Sequence, residues 1–267
     1  MNTMHLDDFV TLGRTVPEVS KKYGKRVCMA GYSPSNNQFL RVYPLMLPVK
    51  DNSDANGFKS RHAYAVDLQR NPEDSRSESW RVVDELHPTT TPWNAAPEVS
   101  TGGVIKWLET RVVPTIRALD ECRLSIGVML VKAGSWQGVS QPRDQADTKP
   151  EHRSLFDDLA DQVGLSGTPE FDPTRVKFAP YIVFSDAGGN HKLQLREWGA
   201  FMLLGNPKYA DNPDALWNAN GYRKDMDTFL VLGNMAKHRK NWLVIKTFQR
   251  KPAATTSLFD AADESEA

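Results

Sequence analysis

The sequence predicts an α+β fold: a small β-barrel at the N-terminal end, followed by a mixed α/β portion. Three observations carry this. Strand-like segments crowd the first hundred residues, helical periodicity first appears after residue 100, and a proline-rich stretch separates the two regimes. The chain has 267 residues, 40% hydrophobic and 25% charged, the balance of a globular protein able to bury a core.

The first strand is predicted in "DDFVTLGRTV" (7–16), closed by Pro17, and "EVSKKYG" after it is too short for more than one helical turn. "RVCMAGYS" and "QFLRVYPL" form a hairpin around "PSNN", a turn favoured by its proline and asparagines. Val27, Met29 and Gly31 alternate with Cys28, Ala30 and Tyr32; both faces are largely apolar, so this strand is expected to be covered on both sides. Gly31 is expected to permit a bend or a close backbone approach. A polar loop (47–60) leads to an alternating strand at 62–70, and residues 71–86 return toward another. "HPTTTPWNAAPEVS" (87–100), with three prolines, marks a linker.

Beyond residue 100, apolar residues at 104, 105, 108, 112, 116 and 119 follow the helical period, with Pro114 splitting the helix. "LSIGVMLVKAG" (124–134) predicts a buried strand, 139–151 a loop and 153–165 an amphipathic helix. The segment from Arg175 reads as a hairpin with "DAGGN" at its tip, running into a helix from Glu197. There the glutamate is expected to be a cap or first-turn acid. Two strands joined by a basic connection close the body. No repeat of fixed period is visible. The expected division is 1–100 for the barrel, 101–251 for the mixed α+β domain and 252–267 for a disordered acidic tail.

The net charge is zero, but the tail from Pro252 holds four acids and no base, leaving a mildly basic body of 33 bases against 29 acids. The bases cluster in "KKYGKR" (21–26) and "KHRK" (237–240), patches suited to a polyanion. No apolar run reaches the length of a membrane span, and the N-terminus lacks the order of a signal peptide; a cytoplasmic location is expected. The two cysteines and six histidines show no metal-ligand spacing, so neither metal nor cofactor is expected. Cys28, beside Lys25 and Arg26, is the one nucleophile candidate inside a motif, and a buried strand cysteine is the stronger reading. No reaction is spelled out; whether the protein is an enzyme stays open.

The motif residues carry a resemblance. Thr15, Pro17, Ser20, Lys21, Lys22 and Tyr23 lead into Cys28, Ala30 and Gly31, then Arg41, Tyr43 and Pro44. Arg76, Glu78, Ser79, Trp80 and Arg81 follow, and near the C-terminus Gly233, Asn234, His238, Trp242 and Ile245. This pattern resembles a group of uncharacterised prokaryotic proteins, and its hairpin is similar to the opening of dual-OB-type domains. The resemblance implies an OB-like β-barrel and a nucleic-acid partner, in a setting of DNA repair or phage defence. A barrel with basic and aromatic groups on one face suits single-stranded DNA or RNA. The expected contacts are Lys21, Lys22, Tyr23, Arg41, Tyr43, Arg76, Arg81, His238 and Arg239. The alternative is an ion-pair network for Arg76, Glu78 and Arg81, with Tyr43 and Trp80 in the core; an enzyme acting on nucleic acid or nucleotides is the second class. In the tail, Leu258 and Phe259 of "TTSLFD" resemble the peptide by which bacterial DNA enzymes hold the sliding clamp, although Thr255 stands where that peptide has glutamine.

Overall fold

The computed structural model describes residues 2–16, 18–20, 24–46, 58–84, 96–143 and 176–253, apart from 207, 210, 220 and 237. The predicted helix at 153–165, the tail residues Leu258 and Phe259, and Lys21, Lys22 and Tyr23 lie outside the described residues.

The N-terminal region is a closed five-stranded barrel. β1 (Thr3–Arg14), β3 (Gly24–Ser33), β4 (Gln38–Met46), β5 (Ala63–Arg70) and β6 (Ser79–Val82) follow the cyclic order β1-β3-β4-β6-β5 and back to β1. A short β2 (Glu18–Ser20) extends β3 at its edge. Closure depends on the length of β1. Its first half pairs with β5, Thr3 opposite Gln69, and its second half pairs with β3, Val10 opposite Tyr32. All pairings are antiparallel except β4–β6, where Arg41 stands opposite Ser79 and Val42 opposite Trp80. The barrel interior holds Leu6, Phe9, Val27, Met29, Leu40, Val42, Tyr64, Val66 and Leu68. Gly31 acts as expected: a Cβ there would overlap the Phe9 ring, so glycine lets that ring fill the barrel. The result agrees with the OB-like barrel expected from the sequence.

The two predicted helical turns are present. α1 (Thr101–Glu109) starts at Ser100, whose hydroxyl accepts from the Gly103 N–H, and α2 (Ile116–Glu121) starts at Thr115, which caps Ala118 in the same way. Pro114 lies in the break between them, as its missing N–H requires.

Among the described residues the remainder is mostly β, with few helices. β7 (Ile126–Val131), β8 (Trp136–Pro142), β9 (Phe178–Asp186), β10 (Gly189–Gln194), β11 (Asp227–Asn234) and β12 (Trp242–Arg250) form two three-stranded sheets, β8-β9-β10 and β7-β11-β12. A parallel bridge from Leu195 to Val244 joins them. Both sheets close over one core, with Met129, Trp136, Ile182, Phe184, Leu193, Leu230, Leu232 and Val244 in contact across it. β8 overlaps at residues 139–142 the loop expected from the sequence; its exposed Gln137 and Gln141 hide the strand signal.

The two halves share one topology. β7 and β8 together take the place of β1: β7 pairs with β11, and β8 pairs with β9. The order then runs β9, β10, the parallel contact to β12, then β11 back to β7. Each parallel step falls at the same point in the cycle. α3 (Trp198–Leu204) follows β10. Among the described residues the helices are thus three short α-helices and one 3-10 turn at Leu216–Asn218.

The halves pack through a third apolar cluster. Leu12, Ala30 and Tyr32 from the outer face of the first barrel meet Val104, Ile105 and Leu108 of α1. They also meet Ile126, Val128, Phe229, Val231, Ile245 and Phe248 of the second half. Hence β3 is covered on both faces, as its sequence predicts. Among the described residues no helix is long and apolar enough to cross a membrane.

Candidate nucleic-acid interface

Two of the three motif arginines are buried. Arg41 is 5% exposed and Arg76 6%. Arg41 rises from the outer face of β4, where Nη2 donates to the Ser125 carbonyl at 2.5 Å and Nη1 to Cys28 Sγ at 3.4 Å. Arg76 forms a paired contact with Asp74, Nε to Oδ1 at 2.8 Å and Nη2 to Oδ2 at 2.5 Å, and its Nη1 donates to the Asn234 carbonyl at 2.8 Å. The Ser79 hydroxyl donates to Asp74 Oδ2 at 2.7 Å. Glu78 receives the Ser125 N–H at 3.0 Å and the Ser125 hydroxyl at 2.9 Å. The bonds from Arg41 to Ser125, from Arg76 to Asn234 and from Ser125 to Glu78 run between the barrels. They tie the hairpin, the arginine-glutamate segment and the glycine-asparagine pair into one clamp.

Arg41 and Arg76, expected as phosphate contacts, are thus held by protein groups. Side chains this buried offer little surface to a phosphate, and the charged partner of Arg76 is Asp74 rather than the Glu78 of the network weighed from the sequence. For Asp74, burial acts to raise the carboxyl pKa, but the bonds from Arg76 and Ser79 prevail and hold it at about 2. Burial pulls the Arg41 pKa below the ordinary arginine value, with the nearby Cys28 opposing. Arg41 Nε and Asn234 Oδ1 are buried without a hydrogen-bond partner.

The remaining predicted residues are scattered. Tyr43 and Arg81 are half-buried on β4 and β6, with the Tyr43 carbonyl held by Asn71 Nδ2 at 3.1 Å. Trp80 is half-buried against the barrel core with the Arg70 guanidinium 5.2 Å from its ring centroid. His238 and Arg239 are exposed in the turn between β11 and β12, where Arg239 Nη2 donates to Ser75 Oγ at 3.2 Å. Glu197 stands at the N-cap of α3 but makes no side-chain cap bond; it pairs with Lys246 and accepts the Thr247 N–H at 3.2 Å. Among the described residues no cluster of three or more His, Cys, Asp or Glu could hold a metal ion.

A surface missed by the sequence reading lies on the second half. Ile182, Phe184 and Leu193 point into the core, so alternation turns Ala179, Tyr181, Val183 and Ser185 of β9 outward. Register places Lys192 opposite Val183 and Gln194 opposite Tyr181 on one side, and Gln137 opposite Val183 and Val139 opposite Tyr181 on the other. The outer face of β8-β9-β10 is therefore a half-buried tyrosine ringed by amides, small apolar groups and a lysine. The Lys192 ammonium sits 4.7 Å from the Tyr181 ring centroid. By position in the cycle this face corresponds to the outer face of β1-β3-β4, which in the first barrel is spent on docking the second. The only signal for it in the sequence is the alternation in "FAPYIVFSD" and "NHKLQ".

The architecture defines two similar β-barrels held by a buried polar clamp. A family model, Domain of unknown function (DUF8758), matches residues 7–98, the span of the first barrel. No curated protein matches the chain. A solved structure of a murine DNA binding protein bound with double-stranded DNA is 11% identical, with 94% of this chain and all of that chain covered, at a TM-score of 0.31, too low to define a fold.

Proposed function

We propose that the protein binds single-stranded nucleic acid on the outer face of β8-β9-β10. The observation that carries this reading is the Tyr181–Lys192 pair at the centre of an otherwise neutral, amide-rich sheet face. A stacked base gains about 1–3 kcal/mol on such a ring, and an adjacent ammonium meets the backbone. The amides of Gln137, Asn190 and Gln194 offer donors and acceptors to base edges without strong sequence preference. OB-fold barrels bind oligonucleotides on a comparable face. His238 and Arg239 are further phosphate contacts in this reading, as are Lys21, Lys22 and Arg81, with Tyr23 and Tyr43 as stacking rings. Arg41 and Arg76 serve by fixing the barrels to each other.

Fluorescence anisotropy with labelled single strands and duplexes across a salt series tests the proposal. Binding of the single strand should be tighter than that of the duplex and weaken as salt rises, by a slope that counts the phosphates neutralised. Absence of any salt-sensitive binding to DNA or RNA would end it.

A further inference from the structure

A second concavity opens where the end of β1 meets the start of α3 and β12. Its volume is about 400 Å³, within the range of small-molecule sites. Both barrels line it, the first with Arg14, Phe58 and Lys59, the second with Glu197, Trp198 and Lys246. Glu197 is only 3% exposed and is neutralised by Lys246. Arg14 lies over the Trp198 ring, 5.5 Å from its centroid, and among the described residues no carboxylate pairs with Arg14 or Lys59. Among the described residues the cleft therefore carries two cations without a carboxylate partner, beside an aromatic wall. A half-buried guanidinium without a counter-charge costs free energy that a bound anion would return.

We propose that this inter-barrel cleft binds a small phosphorylated ligand, its phosphate held by Arg14 and Lys59 and its organic body against Trp198 and Phe58. A phosphate monoester carries between one and a half and two negative charges near neutral pH, matching two free cations, and the guanidinium fork suits its oxygens. A single carboxylate supplies one charge, and a dicarboxylate such as succinate spreads its two charges over separate ends, so neither matches the compact pair as a phosphate does. The site is separate from the Tyr181 face and does not depend on it.

The test is thermal denaturation and calorimetric titration of the full chain with inorganic phosphate, a nucleoside monophosphate and succinate, all at matched ionic strength. Phosphate and the monophosphate should raise the melting temperature in proportion to the logarithm of concentration, and succinate should not. Arg14→Met should melt no lower than wild type without ligand and lose at least tenfold in phosphate affinity. Lys59→Met, at an exposed position, should keep wild-type stability and show a similar loss. Both should leave oligonucleotide binding unchanged. Phosphate acting no better than chloride, or both variants keeping wild-type affinity, would overturn the proposal. So would succinate binding as well as phosphate. If Arg14→Met fails to fold, the Lys59→Met titration decides alone.

Discussion

Arg76 and Asn234 stand 158 residues apart in sequence, yet the Arg76 guanidinium donates to the Asn234 carbonyl at 2.8 Å with both residues buried. That bond, with the Arg41–Ser125 contact, gives the motif arginines their function: they register one barrel against the other. Removing one member of a buried ion pair leaves an uncompensated charge, which costs about 3–5 kcal/mol. Arg76→Met should therefore destabilise the protein by about that much in urea denaturation. The double variant Arg76→Met, Asp74→Leu should recover much of the loss, because it removes the stranded carboxylate as well.

Acid should loosen the same clamp. The Asp74 carboxyl is held at about 2 in the folded protein, below its ordinary value of 3.8. A depressed folded pKa contributes stability above the unfolded value and loses it as pH falls through the folded one. The contribution is on the order of 1–2 kcal/mol, present above about pH 4 and lost toward pH 2. Melting temperatures between pH 5 and pH 2 should fall more steeply for wild type than for Asp74→Asn, which starts lower at pH 5. Parallel profiles would show that Asp74 does not couple folding to protons there.

Gly13 tests how closely the barrels must approach. A Cβ at Gly13 would lie 2.8 Å from Lys246 Cβ, at the crossing of β1 and β12. Gly13→Ala should cost about 1–3 kcal/mol by overpacking. Gly102→Ala, at a position where a Cβ meets nothing within 4 Å, should be neutral to stabilising, since alanine favours helix. Equal urea midpoints for the two variants would contradict the close approach.

Much of the first barrel was legible because its signals are local. The "PSNN" turn and the alternation at 62–70 each act over a few residues. The same holds for "DAGGN" and for Glu197 at the start of α3. The second barrel was not legible as a barrel. Its first strand is broken into β7 and β8 by the turn at 132–135, whereas β1 runs unbroken through 12 residues. The halves therefore share strand order without sharing a sequence period. The burial of Arg41 and Arg76 was not legible for a different reason. A guanidinium reads the same in sequence whether it meets solvent or a carbonyl 84 or 158 residues away. Tyr181 was passed over because nothing near it in sequence shows that the neighbouring strands bring Lys192, Gln194 and Val139 beside it.

The most direct measurement is single-strand affinity of Tyr181→Ala, Lys192→Glu beside wild type, by anisotropy at one moderate salt concentration, with folding confirmed by thermal denaturation. Loss of a stacking ring and reversal of a neighbouring charge should weaken binding at least tenfold while the melting temperature stays within a few degrees. Binding that persists unchanged in this folded variant would contradict the assignment and return the interface to the first barrel and the basic turn at His238 and Arg239.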